Sequence, residues 1–338
     1  MSRRLGLYFE REIREQPELW ERLAATGSAE RLARCLNGDV VLVGSGSSLF
    51  VAQLGALALR RRGVNAQALA ATEARLDYNA YQNRIVVAIS QSGRSTDLLD
   101  AVDVLRPRSL LALTNTIDSP LAARATHLID IGAGPELAVP ASKSVSTSAA
   151  IVLWAASLLA GDGRRDAAVL LGTAREVATW LHHSAAADVL EAAQHIALSS
   201  SVVVLGSDYG LPIALEIGLK FKEACYLHAE GFAAGEFRHG SIAMVDASCA
   251  VIGILDDDAY DIVTRPLGEV ASSGAARFTL GARAMSGVPR LGPDVDVPFN
   301  TLAWLVTAQL LALHIARTRH IDSDAPRGLK KALVSGGT

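Results

Sequence analysis

One pattern constrains this chain more than any other, because it occurs twice. The apolar run from Asp39 to Val43, with VVLV at its centre, runs directly into Gly44-Ser45-Gly46-Ser47-Ser48 and then into a helical pattern. The run Ser201 to Leu205 leads in the same way into Gly206-Ser207-Asp208-Tyr209-Gly210 and a long helical pattern. At an offset of 162, Val41, Gly44, Ser45, Leu49, Ala52 and Leu57 fall on Val203, Gly206, Ser207, Leu211, Ala214 and Leu219. Strand, glycine-serine turn and helix open a doubly wound α/β unit, so two copies of one α/β domain are expected. Further strands are predicted at Arg84–Ile89, Leu110–Leu113 and His127–Ile131 in the first copy. Ala250–Leu255 and Arg277–Leu280 continue the second. The predicted organisation is an N-terminal helical segment (1–30), a first domain (31–162), a linker helix (163–197), a second domain (198–320) and a polar, turn-rich tail (321–338).

Composition narrows the function classes. The 338 residues are 50% hydrophobic and 20% charged, which excludes disorder as the main state. A formal net charge of −3 speaks against a basic nucleic-acid-binding surface. Cys35, Cys225 and Cys249 are too few and too scattered for a disulfide framework or a zinc site, so a reduced cytoplasmic setting is expected. No signal peptide is expected in MSRRLGLYFERE. The apolar stretch Ala149–Ala160 is shorter than the roughly 20 residues a membrane span needs, and Phe299–Ile315 carries Asn300, Gln309 and His314. Both are predicted to be buried core helices, with no membrane partner. Of 32 basic residues only five are lysine: Lys143, Lys220, Lys222, Lys330 and Lys331. A lysine amine can lose its proton and attack a carbonyl, which guanidinium effectively cannot. Chance retention is the simpler explanation for any one of them, but all five fall in three short segments that carry other signals.

Two strand-to-helix turns are loaded with hydroxyls. Ser45, Ser47 and Ser48 occupy the first; Ser90, Gln91, Ser92, Ser95 and Thr96 occupy the second. In a parallel sheet both lie at the carboxyl ends of strands, where ligands bind. Free helix N–H groups, serine hydroxyls and glycine backbone together make a phosphate cradle that needs no basic side chain. Plain helix capping is the alternative for either turn alone. Neither turn fits the triphosphate loop or the dinucleotide glycine spacing. The segment Ala214–Gly240 is the richest. Glu216, Lys220 and Glu223 share one helix face, and His228, Glu230, Glu236 and His239 come after them. A surface ion pair is the alternative, but flanking Ile213, Leu215, Ile217, Leu219, Phe221 and Ala224 would enclose part of that face. Carboxylate with histidine is the usual equipment for moving protons between carbon and oxygen near neutral pH.

These stretches, with Glu12-Ile13-Arg14-Glu15-Gln16-Pro17, Ile89-Ser90-Gln91-Ser92-Gly93, Gly134-Pro135-Glu136 through Ser142-Lys143 and Asp324-Ala325-Pro326-Arg327-Gly328-Leu329-Lys330-Lys331, resemble tandem sugar isomerase (SIS) domains. Their order is that of the isomerase half of glucosamine-6-phosphate synthases. The resemblance implies an α/β fold of two doubly wound SIS domains, each a parallel five-stranded sheet flanked by helices. It implies that Ser47, Ser48, Ser90, Gln91, Ser92 and Ser95 hold a sugar phosphate, and that Val139 and Ser142 also bind substrate. Glu223 would shuttle a proton between C1 and C2, and His239, reaching in from a partner subunit, would open the sugar ring. Lys331 would form an imine with a ketose or contact the open-chain sugar, assisted by Lys220. No metal or organic cofactor is implied.

Two departures stand out. Arg94 occupies a position that is usually acidic, and Ser95 one that is usually threonine. The glutaminase region of the synthases, with its N-terminal cysteine, is also expected to be missing. The expected activity is therefore a phosphosugar aldose–ketose isomerase run as a deaminase, turning glucosamine 6-phosphate and water into fructose 6-phosphate and ammonia in a homodimer. A related phosphosugar isomerase or deglycase, ammonia-dependent synthesis of glucosamine 6-phosphate and a non-catalytic sugar-phosphate sensor remain open as alternatives.

Overall fold

The computed structural model describes residues 4–76, 78–183, 187–293, 295 and 299–331. The first repeat runs α1 (Leu7–Thr26), α2 (Ser28–Cys35), β1 (Val40–Gly44), α3 (Ser47–Arg60), β2 (Ala66–Ala70) and α4 (Ala71–Leu76). It continues through β3 (Ile85–Ser90), α5 (Thr96–Leu105), β4 (Ser109–Thr114), α6 (Pro120–Arg124), β5 (His127–Asp130) and α7 (Lys143–Leu159). The described residues of the predicted linker helix form α8 (Gly163–His183) and α9 (Ala187–Ala197). The second repeat is β6 (Ser201–Gly206), α10 (Gly210–Cys225), β7 (His228–Ala233), α11 (Ala234–Phe237), β8 (Cys249–Ile254), α12 (Tyr260–Glu269), β9 (Ala276–Leu280), β10 (Arg290–Leu291) and α13 (Asn300–Thr318).

The sheets have the orders β2-β1-β3-β4-β5 and β10-β9-β8-β6-β7. Renumbered within its own repeat, each is 2-1-3-4-5, and every pairing in both is parallel. The sequence repeat is thus a topological repeat. A parallel sheet is covered by helices on both faces, so its inner strands read as continuous apolar runs. VVLVG in β1, IVVAIS in β3 and CAVIGI in β8 are buried at every position. On one face of the first sheet Val41, Val43, Val86 and Ala88 pack with Leu98, Ala101 and Leu105 of α5. On one face of the second, Val203, Leu205 and Val251 pack with Phe237, Val263 and Leu267.

Three strands escape the sequence reading: β2, β7 and β10. All are outer strands. β2 (AQALA) has no β-branched residue and is mostly half-buried, and β10 has two residues. β7 carries the histidine and glutamate of a segment read for its chemistry. Helices α7 and α13 are buried almost all round, as expected of core helices. Among the described residues no helix is long and apolar enough to cross a membrane.

The described residues divide into two compact units. The second-sheet unit holds 4–17, 137–142 and 172–329, and the first-sheet unit holds 18–136, 143–171 and 330–331.

The repeated glycines at the strand ends have one cause. A Cβ on Gly44 would lie 2.6 Å from the carbonyl carbon of Ser48, and one on Gly206 would run into the carbonyl oxygen of Gly210. In both copies the first turn of the following helix sits directly on the end of the strand. Gly44→Ala and Gly206→Ala are each expected to lower stability by about 1–3 kcal/mol through this overpacking. Gly172→Ala, on the exposed side of α8 with nothing near its Cβ, is expected to gain about 0.5–1 kcal/mol. Urea unfolding midpoints of the three variants check the contrast.

Candidate functional site

In the first-sheet unit the order 2-1-3-4-5 makes the β1–β3 pair the point where the chain changes direction across the sheet, the place where doubly wound sheets bind ligands. Both hydroxyl-rich turns stand there. Ser47 and Ser48 form the first turn of α3, entered through Gly46 at φ +56°. Ser95 holds the N-cap position of α5, yet its side chain makes no capping bond, so it is not used up as a cap. Between them the backbone is tightly set. Ser90 Oγ accepts the Gly93 N–H at 3.0 Å, and Ser92 Oγ accepts the Arg94 N–H at 3.3 Å. The carbonyl of Gln91 accepts the Asn115 N–H at 3.1 Å. A hydroxyl that accepts one bond still has its own proton to donate. Ser90 and Ser92 therefore keep O–H donors beside the N-terminus of α5, while the Ser48 and Leu49 amides of α3 are taken up by the Ser45 and Gly46 carbonyls.

The corresponding turns of the second sheet have lost this character. They carry Asp208 after β6 and Asp256, Asp257 and Asp258 after β8. Asp256 is buried, and burial, reinforced by the neighbouring Asp258, Asp208 and Asp257, pushes its carboxyl above the usual range. These turns set carboxylates beside the single serine, Ser207, where the first repeat has hydroxyls and no carboxylate.

The second-sheet unit carries the titratable array. Along α10, Lys220 Nζ lies 2.6 Å from Glu223 Oε2 and 3.6 Å from Glu216 Oε1. The side chains of Glu216 and Lys220 are 2% and 1% exposed, and that of Glu223 is 23% exposed. This is no solvated surface pair: two members are enclosed and the third comes to the surface. Glu223 lines a pocket of about 440 Å³ with Lys222, Tyr226, Leu227, His228, Arg327 and Leu329. His228 Nε2 stands 3.8 Å from Glu230. His239 is exposed beyond α11, its N–H bonded to the Glu236 carbonyl at 2.9 Å, and it is not among the residues lining that pocket.

The segment 137–142 belongs to the same unit and is held there by residues the sequence reading left unassigned. Glu12, fully buried in α1, accepts the amides of Leu137 and Ala138. Gln16 Nε2 donates to Gln309 Oε1 at 2.6 Å, and Gln309 Nε2 donates to the Ser142 carbonyl at 3.4 Å. The Val139 amide donates to the Asp324 carbonyl at 3.3 Å. Val139 is half-buried and Ser142 fully buried. The available signal was Gln309, a polar residue in the middle of a mainly apolar helix. Glu12 and Gln16, four apart on an amphipathic helix, pass for a solvated face.

In the first-sheet unit, Glu136 is buried. It accepts the Ser144 amide at 3.1 Å, the Ser144 hydroxyl at 2.8 Å and Lys331 Nζ at 2.9 Å. Lys331 thus enters the structure with a carboxylate against its ammonium group. Glu136 is a further residue the sequence reading did not single out for chemistry.

Two parallel five-stranded α/β repeats, with hydroxyl-rich turns on one sheet and a partly enclosed Glu–Lys–Glu array on a helix of the other, define a doubly wound α/β class of protein. The family follows from direct comparison. The SIS domain model matches residues 36–158 and 195–281, and the chain belongs to the SIS domain family. It is 31% identical over 301 residues to the glutamine–fructose-6-phosphate aminotransferase (isomerizing) of Sulfolobus acidocaldarius, covering 88% of this chain and 50% of that protein. The chain spans about half the length of the curated relatives it matches. Its fold matches the C-terminal domain of glucosamine-fructose-6-phosphate aminotransferase from Francisella tularensis with a TM-score of 0.80 at 20% identity, covering 94% of this chain and 98% of that one. It also matches glucosamine-6-phosphate deaminase from Thermotoga maritima with a TM-score of 0.77 at 20% identity, covering 96% and 98%.

The burial of the α10 array has a thermodynamic consequence. Lys220→Met leaves the buried Glu216 without its lysine and is expected to lower stability by about 3–5 kcal/mol. Adding Glu216→Gln to Lys220→Met, which takes the opposing charge away, is expected to recover most of that loss. Urea unfolding of the two singles and the double variant tests it; additive losses would show that the two side chains do not interact.

Proposed function

We propose that the chain is a phosphosugar aldose–ketose isomerase working as a glucosamine-6-phosphate deaminase. The observation that carries this reading is the placement of Glu223. It is the one solvent-reaching member of the α10 array, it lines a pocket, and the enclosed Lys220 holds its carboxylate. The likeness to aminotransferases that handle the same sugar phosphates supports the substrate class, as does membership of the SIS family.

In this reading Ser47, Ser48, Ser90, Gln91, Ser92 and Ser95 hold the 6-phosphate. The phosphate orients the sugar and takes no part in bond changes, the use of remote binding energy expected of such a handle. Ring opening comes first, because the cyclic sugar hides its carbonyl, and His239 moves that proton. Glu223 then takes the C2 proton of the open aldehyde and returns it to C1, leaving a ketose whose C2 carries an imine. Water adds at C2, the nitrogen leaves as ammonia, and fructose 6-phosphate remains. Lys331 contacts the open-chain sugar or forms an imine at C2, with Glu136 placed to take up the proton its amine must lose. Val139 and Ser142 complete the substrate contacts. Run backward with ammonia, the same steps make glucosamine 6-phosphate, the direction in which the aminotransferase relatives are named.

Purified protein supplied with glucosamine 6-phosphate is expected to release ammonia and fructose 6-phosphate in equal amounts. Glu223→Gln is expected to lower kcat by about 10²–10⁴-fold with the sugar still bound. Turnover retained in Glu223→Gln would remove the base assignment, and turnover confined to another phosphosugar would remove the substrate.

The exposed His239, away from the Glu223 pocket, supports a homodimer in which it serves the partner's sugar. Glu223→Gln and His239→Ala proteins, each inactive, are expected to regain up to about a quarter of wild-type activity once their subunits are exchanged. No recovery after proven exchange would place both residues on one chain.

A further inference from the structure

We propose that Arg94 is a phosphate-binding residue and makes the site selective for the dianionic form of a phosphate ester. The inference deepens the reading above and rests on its assignment of the hydroxyl-rich turns to the substrate phosphate. Arg94 stands inside the second of those turns, between Ser92 and Ser95. It is half-buried, and its Nε–H is shut off from solvent with no acceptor. Among the described residues every other half-buried arginine is engaged. Arg84 lies over the Tyr81 ring at 5.5 Å, and Arg277 donates to the Leu267 carbonyl at 3.3 Å. Arg290 donates to the Ala282 carbonyl at 3.2 Å, and Arg317 pairs with Glu10 at 2.7 Å. Asp97, three residues after Arg94 in the first turn of α5, forms no ion pair with it. A buried donor without an acceptor is rare in native structures, and each one needs a reason.

The backbone that carries Arg94 is held on both sides. The Gly93 carbonyl accepts the Leu121 N–H at 3.1 Å, and the Arg94 N–H goes to Ser92 Oγ at 3.3 Å. The side chains around it in the turn are donors as well: Ser90 and Ser92 keep their O–H protons, and Ser95 makes no capping bond. What completes such a set is a group rich in oxygens with no proton of its own. A dianionic phosphate ester is that group, and it loses its second proton at about pH 6. Guanidinium is planar and can present two parallel N–H groups to two oxygens of a phosphate. Serine hydroxyls answer to oxygens alone, whereas guanidinium answers to charge as well. The serines by themselves would take a sulfate ester, of the same tetrahedral shape but a single charge, nearly as well as a phosphate ester. Arg94 tells the two apart. An arginine kept for the sake of the fold would have a protein partner, as Arg84, Arg277, Arg290 and Arg317 do.

The test is calorimetric titration with sorbitol 6-phosphate and sorbitol 6-sulfate, which have no carbonyl and so report binding without turnover. Arg94→Gln is expected to weaken the phosphate ester about 10–100-fold and the sulfate ester less than about threefold, the difference between a charged and a weakly charged hydrogen-bond partner. Arg94→Lys, which keeps the charge and loses the fork, is expected to keep the preference for phosphate and recover part of the affinity. The urea midpoint of unliganded Arg94→Gln is expected to match or exceed that of the wild type, because the orphaned donor is gone. Unchanged phosphate affinity in Arg94→Gln overturns the assignment and leaves the serines as the site. Equal weakening of both esters overturns the selectivity, and a lowered midpoint with unchanged selectivity gives the side chain to the fold instead. A wild type that binds neither ester overturns the phosphate site on which the inference rests. The expected selectivity in a protein that releases no ammonia from glucosamine 6-phosphate leaves Arg94 its role and overturns the deaminase reading.

Discussion

Everything that positions chemistry in this protein depends on one steric arrangement, a helix N-terminus packed straight onto the end of a parallel strand. Gly44 and Gly206 permit it, because a β-carbon at either place would collide with the backbone of the following helix. Parallel strands joined by helical crossovers all present their carboxyl ends to one edge. Close packing at that edge sets the first-turn amides of each helix beside the next strand's turn. In the first repeat β1 and β3 are neighbours, so the turns of α3 and α5 come side by side with their hydroxyls. Topology thus gathers five serines at one edge of the sheet.

The two repeats show how one scaffold is divided between tasks. They share strand order, strand direction and the glycine at the head of the first turn. They differ in the side chains on the turns: several hydroxyls in the first repeat, mainly aspartates beside Ser207 in the second. The second repeat gathers acidic side chains at its turns, and its enclosed ion pairs lie on α10. The repeats keep one topology and differ in the chemistry of their equivalent turns.

The fold was largely legible because its signals are local. A β-branched run, a glycine and a serine within ten residues announce a strand, a turn and a helix, and they do so twice. The outer strands β2, β7 and β10 were not legible, since their residues answer to half-exposed edges rather than to a core. The same distinction runs through the site. Glu216, Lys220 and Glu223 could be placed on one helix face from spacing alone. What spacing could not give was the depth of each, and the depth separates a surface ion pair from an enclosed array. Contacts between distant parts of the chain left almost no trace. Glu12 holding residues 137 and 138, Gln309 meeting both Gln16 and Ser142, and Tyr226 meeting Arg327 each join segments more than 90 residues apart.

Depth also explains why the α10 array is suited to proton transfer. A carboxylate fully enclosed with a lysine would be a structural pair, stable and unreachable. One fully exposed would be held by nothing and would sample many rotamers. Glu223 lies between these limits: its partner Lys220 is enclosed and held from the far side by Glu216, so the cation cannot follow the carboxylate into solvent. A charged hydrogen bond of this kind is short and directional, and it engages only one of the two carboxylate oxygens. The stability spent on burying Glu216 and Lys220 is converted into the fixed position of one atom, the form in which a fold contributes most to a reaction.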